Sequence, residues 1–166
     1  GVLTVEVAGG RFSLAASAFE RLVIGRYDPG GLDPVLPNTV SDGLKILDEK
    51  GNILKVFNSV ECRWGCLPDD EDCTHREHVE ISRDPQGSLF LQVAPGAVLP
   101  VHYSYSPSEA PRRLGKGEKV TLEAGRPIYL WISGVYLDAR RKDKRVPLKI
   151  VLEQGARLTS RLTHYR

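Results

Sequence analysis

The chain has 166 residues, 41% hydrophobic and 27% charged, with a formal net charge of +2. That length supports one sizeable core and is short for two, and the near-balance of charge argues against a dedicated nucleic-acid binder, which carries a strongly basic face. No apolar run approaches a bilayer span and no basic-then-apolar leader opens the chain, so neither a membrane span nor export is expected, and the expected location is the cytoplasm.

Period-2 alternation dominates the chain and predicts short strands in sequence order. Leu3, Val5 and Val7 alternate with Thr4 and Glu6, and Gly9-Gly10 then turns into Phe12 and Leu14. A short patch from Ala15 to Arg21 is the only helix-like stretch. Leu22-Val23-Ile24-Gly25-Arg26 closes the next strand and opens a Pro/Gly-rich loop. Leu44–Leu47 and Ile53–Phe57 flank Asp48-Glu49-Lys50-Gly51-Asn52 and read as a hairpin. Val79/Ile81 and Leu89/Leu91/Val93 bracket Asp84-Pro85-Gln86-Gly87 as a second one. Val101/Tyr103/Tyr105, Val120/Leu122, Ile128/Leu130/Ile132 and Leu148/Ile150/Leu152 complete the series. Along the Ile128 strand, alternation sends Tyr129 and Trp131 to the face opposite Ile128 and Leu130. The pattern predicts an all-β fold: a single β-sandwich over residues 1–166, of about ten or eleven short antiparallel strands. Two excursions leave it, a Cys-containing insertion around 58–75 and a basic hairpin loop around 138–146. The basic run, Asp138 to Arg145, is the solvated tip of a hairpin in its simplest reading.

Met is absent, Asn and Gln are few, and Arg outnumbers Lys, a composition expected of a protein from a hot environment. Gly1 stands where Met is expected, pointing to a processed or excised piece of a longer protein.

Three segments carry candidate chemistry. Arg26 lies beyond a strand end beside Gly25. A guanidinium offers a permanently charged, planar fork of donors suited to an anionic oxygen pair, and a glycine permits a sharp turn or close backbone approach. The second segment is His75-Arg76-Glu77-His78-Val79-Glu80-Ile81, and the third is Leu114-Gly115-Lys116-Gly117-Glu118-Lys119-Val120-Thr121-Leu122. In this order the three resemble the motifs of the forkhead-associated (FHA) domain, over Leu3 to about Ser133. Leu3 through Arg26 looks like its first strands ending in Ile-Gly-Arg. The second segment looks like its Ser-Arg-x-His-x-x-Ile motif, with His75 in place of Ser. The third looks like its Leu-x-x-Gly-Asp-x-Ile strand, with Glu118 for Asp. The stretch from Arg26 to Arg76 is longer than the family's. A second alignment puts the family Ser at Ser41, with Asp42 and Leu44 where its Arg and His would stand. The family's Asn-Gly is not evident near Ala97-Val98-Leu99-Pro100.

The resemblance implies an FHA/SMAD-like sandwich and a non-catalytic signalling module that binds phosphothreonine in a partner protein, or a degenerate interaction module derived from one. It makes Arg26 the leading phosphate-binding cation and Arg76 the second, with Ser41 or His75 as a flanking donor. Gly25 and His78 become structural. Without the resemblance, Arg76 reads as a surface arginine among Glu71, Asp72, Glu77 and Glu80.

Cys62, Cys66, Cys73 and His75 fall within fourteen residues. Three thiols and an imidazole suffice for a tetrahedral structural zinc, whereas two of the thiols could instead form a disulfide stapling the insertion. A zinc-bound His75 is unavailable to a phosphate pocket. No other cofactor and no small-molecule substrate is expected. The sequence lacks a Gly-x-Ser-x-Gly elbow, a phosphate-cradling Gly-x4-Gly-Lys loop and a His-Glu-x-x-His pair, so catalysis is not expected. The rival reading is a structural or assembly sandwich, an oligomeric coat or surface component without phosphate recognition. In it Tyr103, Tyr105, Tyr129, Trp131 and Tyr136 form an interface or sugar-binding face. The two readings diverge on one point: a phosphate reader brings Arg26 and Arg76 together at one end of the sandwich.

Overall fold

The computed structural model describes residues 1–7, 9–36, 43–58, 74–132 and 147–154. Among these the fold is all-β, in twelve strands: β1 (Val2–Val7), β2 (Gly10–Ala15), β3 (Arg21–Tyr27), β4 (Gly43–Leu47), β5 (Ile53–Asn58), β6 (Val79–Arg83), β7 (Leu89–Val93), β8 (Val101–Ser104), β9 (Arg112–Leu114), β10 (Val120–Thr121), β11 (Ile128–Ile132) and β12 (Leu148–Glu153). Two antiparallel six-stranded sheets result, in the orders β2-β1-β12-β11-β8-β9 and β10-β7-β6-β3-β4-β5. One strand beyond the expected set is β9, whose Arg112-Arg113-Leu114 gives no apolar alternation to read. The helix-like patch is a single 3-10 turn, Ala16–Ala18, and Arg21 already belongs to β3.

The sheets face each other across one apolar core. From the first come Leu3, Val5, Leu130 and Ile150, and from the second Leu22, Ile24, Leu44, Ile46, Ile81 and Leu91. Each row recurs every second residue, as a strand with one face on the core requires. The expected hairpins pair in register, Leu44 with Phe57 and Ile81 with Leu91. On β11, Ile128 and Leu130 enter the core, while Trp131 pairs with His102 on the opposite face. Trp131 is only 9% exposed. The third motif segment is a turn between core residues: Leu114, Val120 and Leu122 are buried, and Gly117 sits at φ 84°, a conformation that favours glycine.

The outer side of the second sheet is partly roofed by residues 28–36, which fold back over β3 and β4. The Tyr27 hydroxyl donates to the Pro34 carbonyl (2.7 Å) and accepts from the Leu36 amide (3.2 Å). Beneath them the buried Lys45 Nζ donates to both carboxylate oxygens of Asp33, at 2.7 and 2.9 Å, with Asp33 partly buried.

Candidate functional site

Arg26 extends the core-facing row of β3. It follows Leu22 and Ile24 at the same parity and lies opposite Leu44 on β4, where the row passes out of the core at the end of the sandwich. Its amide donates to the His75 carbonyl (2.8 Å), and its guanidinium Nη1 donates to the Thr74 carbonyl (3.2 Å). The segment entering β6 is therefore laid across the end of β3, and Gly25 is what permits it. A Cβ on Gly25 would overlap the Arg76 carbonyl and stand 2.8 Å from that of His75. The backbone that approaches the glycine is the protein's own, and this contact sets Arg76 beside Arg26.

Both arginines turn toward one carboxylate. Arg76 Nη2 donates to Asp28 Oδ2 at 3.0 Å, and Arg26 Nη2 lies 3.9 Å from the same oxygen. The pairing with Arg76 is monodentate: among the described residues its Nε is buried without a hydrogen-bond partner. The bond from Arg76, with the charges of both guanidiniums, holds the Asp28 carboxyl below its ordinary value of 3.8. The Asp28 loop is itself fixed, since the Asp28 amide donates to Asp33 Oδ2 (2.7 Å) and the Gly31 amide to the Asp28 carbonyl (3.1 Å).

The two histidines build the opposite wall. His78 is fully buried. Its Nδ1 accepts from the His75 amide (3.0 Å), so the proton resides on Nε2, which donates to the Leu99 carbonyl (3.1 Å). Its amide donates to the Ile24 carbonyl (3.0 Å). His78 thus braces β3, the His75 turn and the loop 94–100 together. His75 Nε2 accepts the amides of Val98 and Leu99, both at 3.3 Å, so a neutral ring carries its proton on Nδ1. Burial, then the charges of Arg26 and Lys116, pushes the His75 pKa below its ordinary 6.5. Lys116, on the loop after β9, donates to the Pro95 carbonyl (2.8 Å) and adds a third cation to this end.

An open cleft of about 340 Å³ at this end is lined by Arg26, His75, Arg76, Glu77 and Gly96. Three of the four large apolar side chains exposed among the described residues stand on the two loops around it: Leu32 and Val35 beyond Asp28, and Val98 beyond Gly96. The arrangement suits an anion with several acceptor oxygens, presented on an extended chain with apolar flanks.

Of the sequence-derived candidates, Arg26, His75 and Arg76 come together, with Gly25 and His78 behind them. Arg76 pairs with Asp28, and its acidic neighbours Glu71 and Asp72 lie outside the described residues. Another neighbour, Glu80, serves Arg21 and Gln92 on the outer face of the sheet. Ser41, Cys62, Cys66, Cys73 and the basic loop around 138–146 lie outside the described residues. Of the zinc or disulfide set only His75 is described, with Nε2 engaged by two amides, and among the described residues no group of three His, Cys, Asp or Glu side chains is placed to hold a metal. Sequence reasoning missed Asp28, Lys116 and the amides of Val98 and Leu99. The spacing Arg26-x-Asp28 was the available signal for the first; the others depend on the docking of distant loops.

Among the described residues no helix is long and apolar enough to cross a membrane. No protein-family model matches the chain, and no curated protein and no solved structure is significantly similar to it.

Proposed function

We propose that this chain is a divergent FHA-like module that binds a phosphothreonine-containing segment of a partner protein in the cleft between Arg26 and Arg76, and that it is not an enzyme. The observation that carries the reading is the convergence of these two arginines, fifty residues apart in sequence, on one carboxylate at one end of the sandwich. A phosphothreonine carries nearly two negative charges and several strong acceptor oxygens, which two guanidiniums can share. Arg26 is fixed before any ligand arrives, because the Thr74 carbonyl anchors its guanidinium, so little rotamer freedom is lost on binding. His75 contributes its Nδ1 proton and Lys116 further positive potential. Leu32, Val35 and Val98 offer apolar contact to residues beside the phosphothreonine.

The rival assembly reading finds less support. Tyr103 and Tyr105 pack against the core and meet edge to face, ring centroids 5.9 Å apart, and Arg112 and Arg126 lie over the Tyr105 ring. Fluorescence anisotropy against a degenerate phosphothreonine peptide pool tests the proposal, with the unphosphorylated pool as control. Binding is expected to require the phosphate and to weaken at least about tenfold in Arg26→Ala, since a charge-assisted hydrogen bond contributes about 1.5–3 kcal/mol. Equal binding of both pools, or of both protein forms, would sink it.

A further inference from the structure

We propose that Asp28 is the specificity-determining residue of this cleft: its carboxylate occupies the anion position between Arg26 and Arg76, and a ligand must displace it, so phosphate esters are admitted and peptide carboxylates rejected. The inference rests on the phosphate reading above and adds to it a filter that acts before the ligand is bound.

Geometry supplies the first support. Asp28 Oδ2 lies within 4.0 Å of both guanidiniums, at 3.0 Å from Arg76 and 3.9 Å from Arg26. An incoming anion that bridges the arginines needs that position. The carboxylate is also held weakly enough to leave. Its bond to Arg76 is monodentate, and its side chain is 30% exposed. The Gly30 amide also bonds the carboxylate, but the Asp28 backbone is anchored separately through its amide to Asp33, and Asp33 to Lys45. The carboxylate can therefore swing out while the loop stays.

Chemistry supplies the second. A glutamate or aspartate in a partner peptide offers the arginines the same group that Asp28 already offers. It does so as a separate molecule, against a tethered competitor whose effective concentration is of millimolar order. Such a ligand gains nothing by exchange. A phosphate ester brings about twice the charge and a third oxygen, and so exchanges favourably despite the tether. The apparent affinity is then the intrinsic one scaled by the fraction of molecules whose Asp28 has moved aside.

The experiment compares the wild type with Asp28→Asn, which keeps the side-chain shape, and Asp28→Ala, which removes it. Each is titrated by fluorescence anisotropy with three degenerate peptide pools, centred on phosphothreonine, on glutamate and on unmodified threonine. If the displaced state holds about a tenth of the population, both variants bind the phosphothreonine pool about tenfold tighter. They also acquire measurable affinity for the glutamate pool, so the ratio between these two pools contracts. A brace that merely orients Arg76 would not change that ratio. Phosphothreonine binding that is unchanged or weaker in both variants overturns the filter and leaves the phosphate reading standing. Binding by none of the three proteins overturns the phosphate reading, and the filter falls with it.

Discussion

Gly25→Ala is the sharpest perturbation of the architecture that creates the cleft. The added methyl would overlap the Arg76 carbonyl and stand 2.8 Å from that of His75, and both obstacles are backbone atoms with no rotamer to retreat into. The segment 74–76 must lift away from β3. Overpacking of this kind costs about 1–3 kcal/mol. Lifting also stretches the Arg26 amide bond to His75 (2.8 Å) and the Arg26 guanidinium bond to Thr74 (3.2 Å), each contributing about 0.5–1.5 kcal/mol. The total is about 2–6 kcal/mol, against the 5–15 kcal/mol or so that holds a domain together, so the variant melts roughly 4–24 °C lower. Calorimetry or circular dichroism reads this directly. Gly31→Ala is the matched control. The nearest atoms to its Cβ would be the carboxylate of Asp28 and the guanidinium of Arg76, side-chain ends that can move, and its melting temperature should stay within about 3 °C of the wild type. Equal and small shifts in both variants would refute the seating of residues 75–76 on β3.

Two further outcomes test the walls of the site. Asp33→Ala leaves the Lys45 ammonium buried without its partner and should cost about 3–5 kcal/mol in urea denaturation, whereas Asp33→Leu combined with Lys45→Met should recover most of that loss; equal destabilisation of both would refute the buried pair. His75 binds its proton more weakly in the fold than in the unfolded chain, so its contribution is complete above the ordinary pKa of 6.5 and is lost as pH falls from there through the folded value. Asp28 stays ionised across that window, its own pKa being held below 3.8, and His78 is the other titratable ring within reach, 4.9 Å away. Melting temperature measured downward from about pH 8 should therefore decline more steeply in the wild type than in His75→Gln, and parallel curves would refute the assignment.

The sandwich was legible because alternation and turn chemistry are local signals. Leu22 and Ile24, Val79 and Ile81, and Ile128 and Leu130 each declare a core face within a few residues of sequence. The strand β9 was not, since its three residues, two arginines and one leucine, carry little apolar pattern. Within the cleft, Arg26 and Arg76 could be singled out because a guanidinium beside a glycine, or within a motif, has a recognisable chemistry. Their convergence could not be read from the sequence. It depends on which backbone lies on Gly25, a property of the pairing of β3 with β6 and of the turn before it. Asp28 escaped for a related reason. An Asp before Pro29 and Gly30 reads as a turn residue, and its role emerges only once a chain segment nearly fifty residues later delivers Arg76 to it.

The same carboxylate reconciles two demands that conflict in any preformed anion site. Arginines poised for a phosphate repel each other while the site is empty, and the cations of Arg26, Arg76 and Lys116 are gathered here, with Asp28 set between the two arginines. An internal anion relieves that repulsion and holds Arg76 in place, at the expense of competing with the ligand. Relief and competition have opposite signatures when Asp28 is neutralised. A purely structural ion pair would lose stability and ligand affinity together. A placeholder would lose stability, most visibly at low ionic strength where exposed charges are least screened, while affinity for the phosphate rises. The direction of those two changes relative to each other, measured on one variant in one buffer, separates a scaffold charge from one that stands in for the ligand.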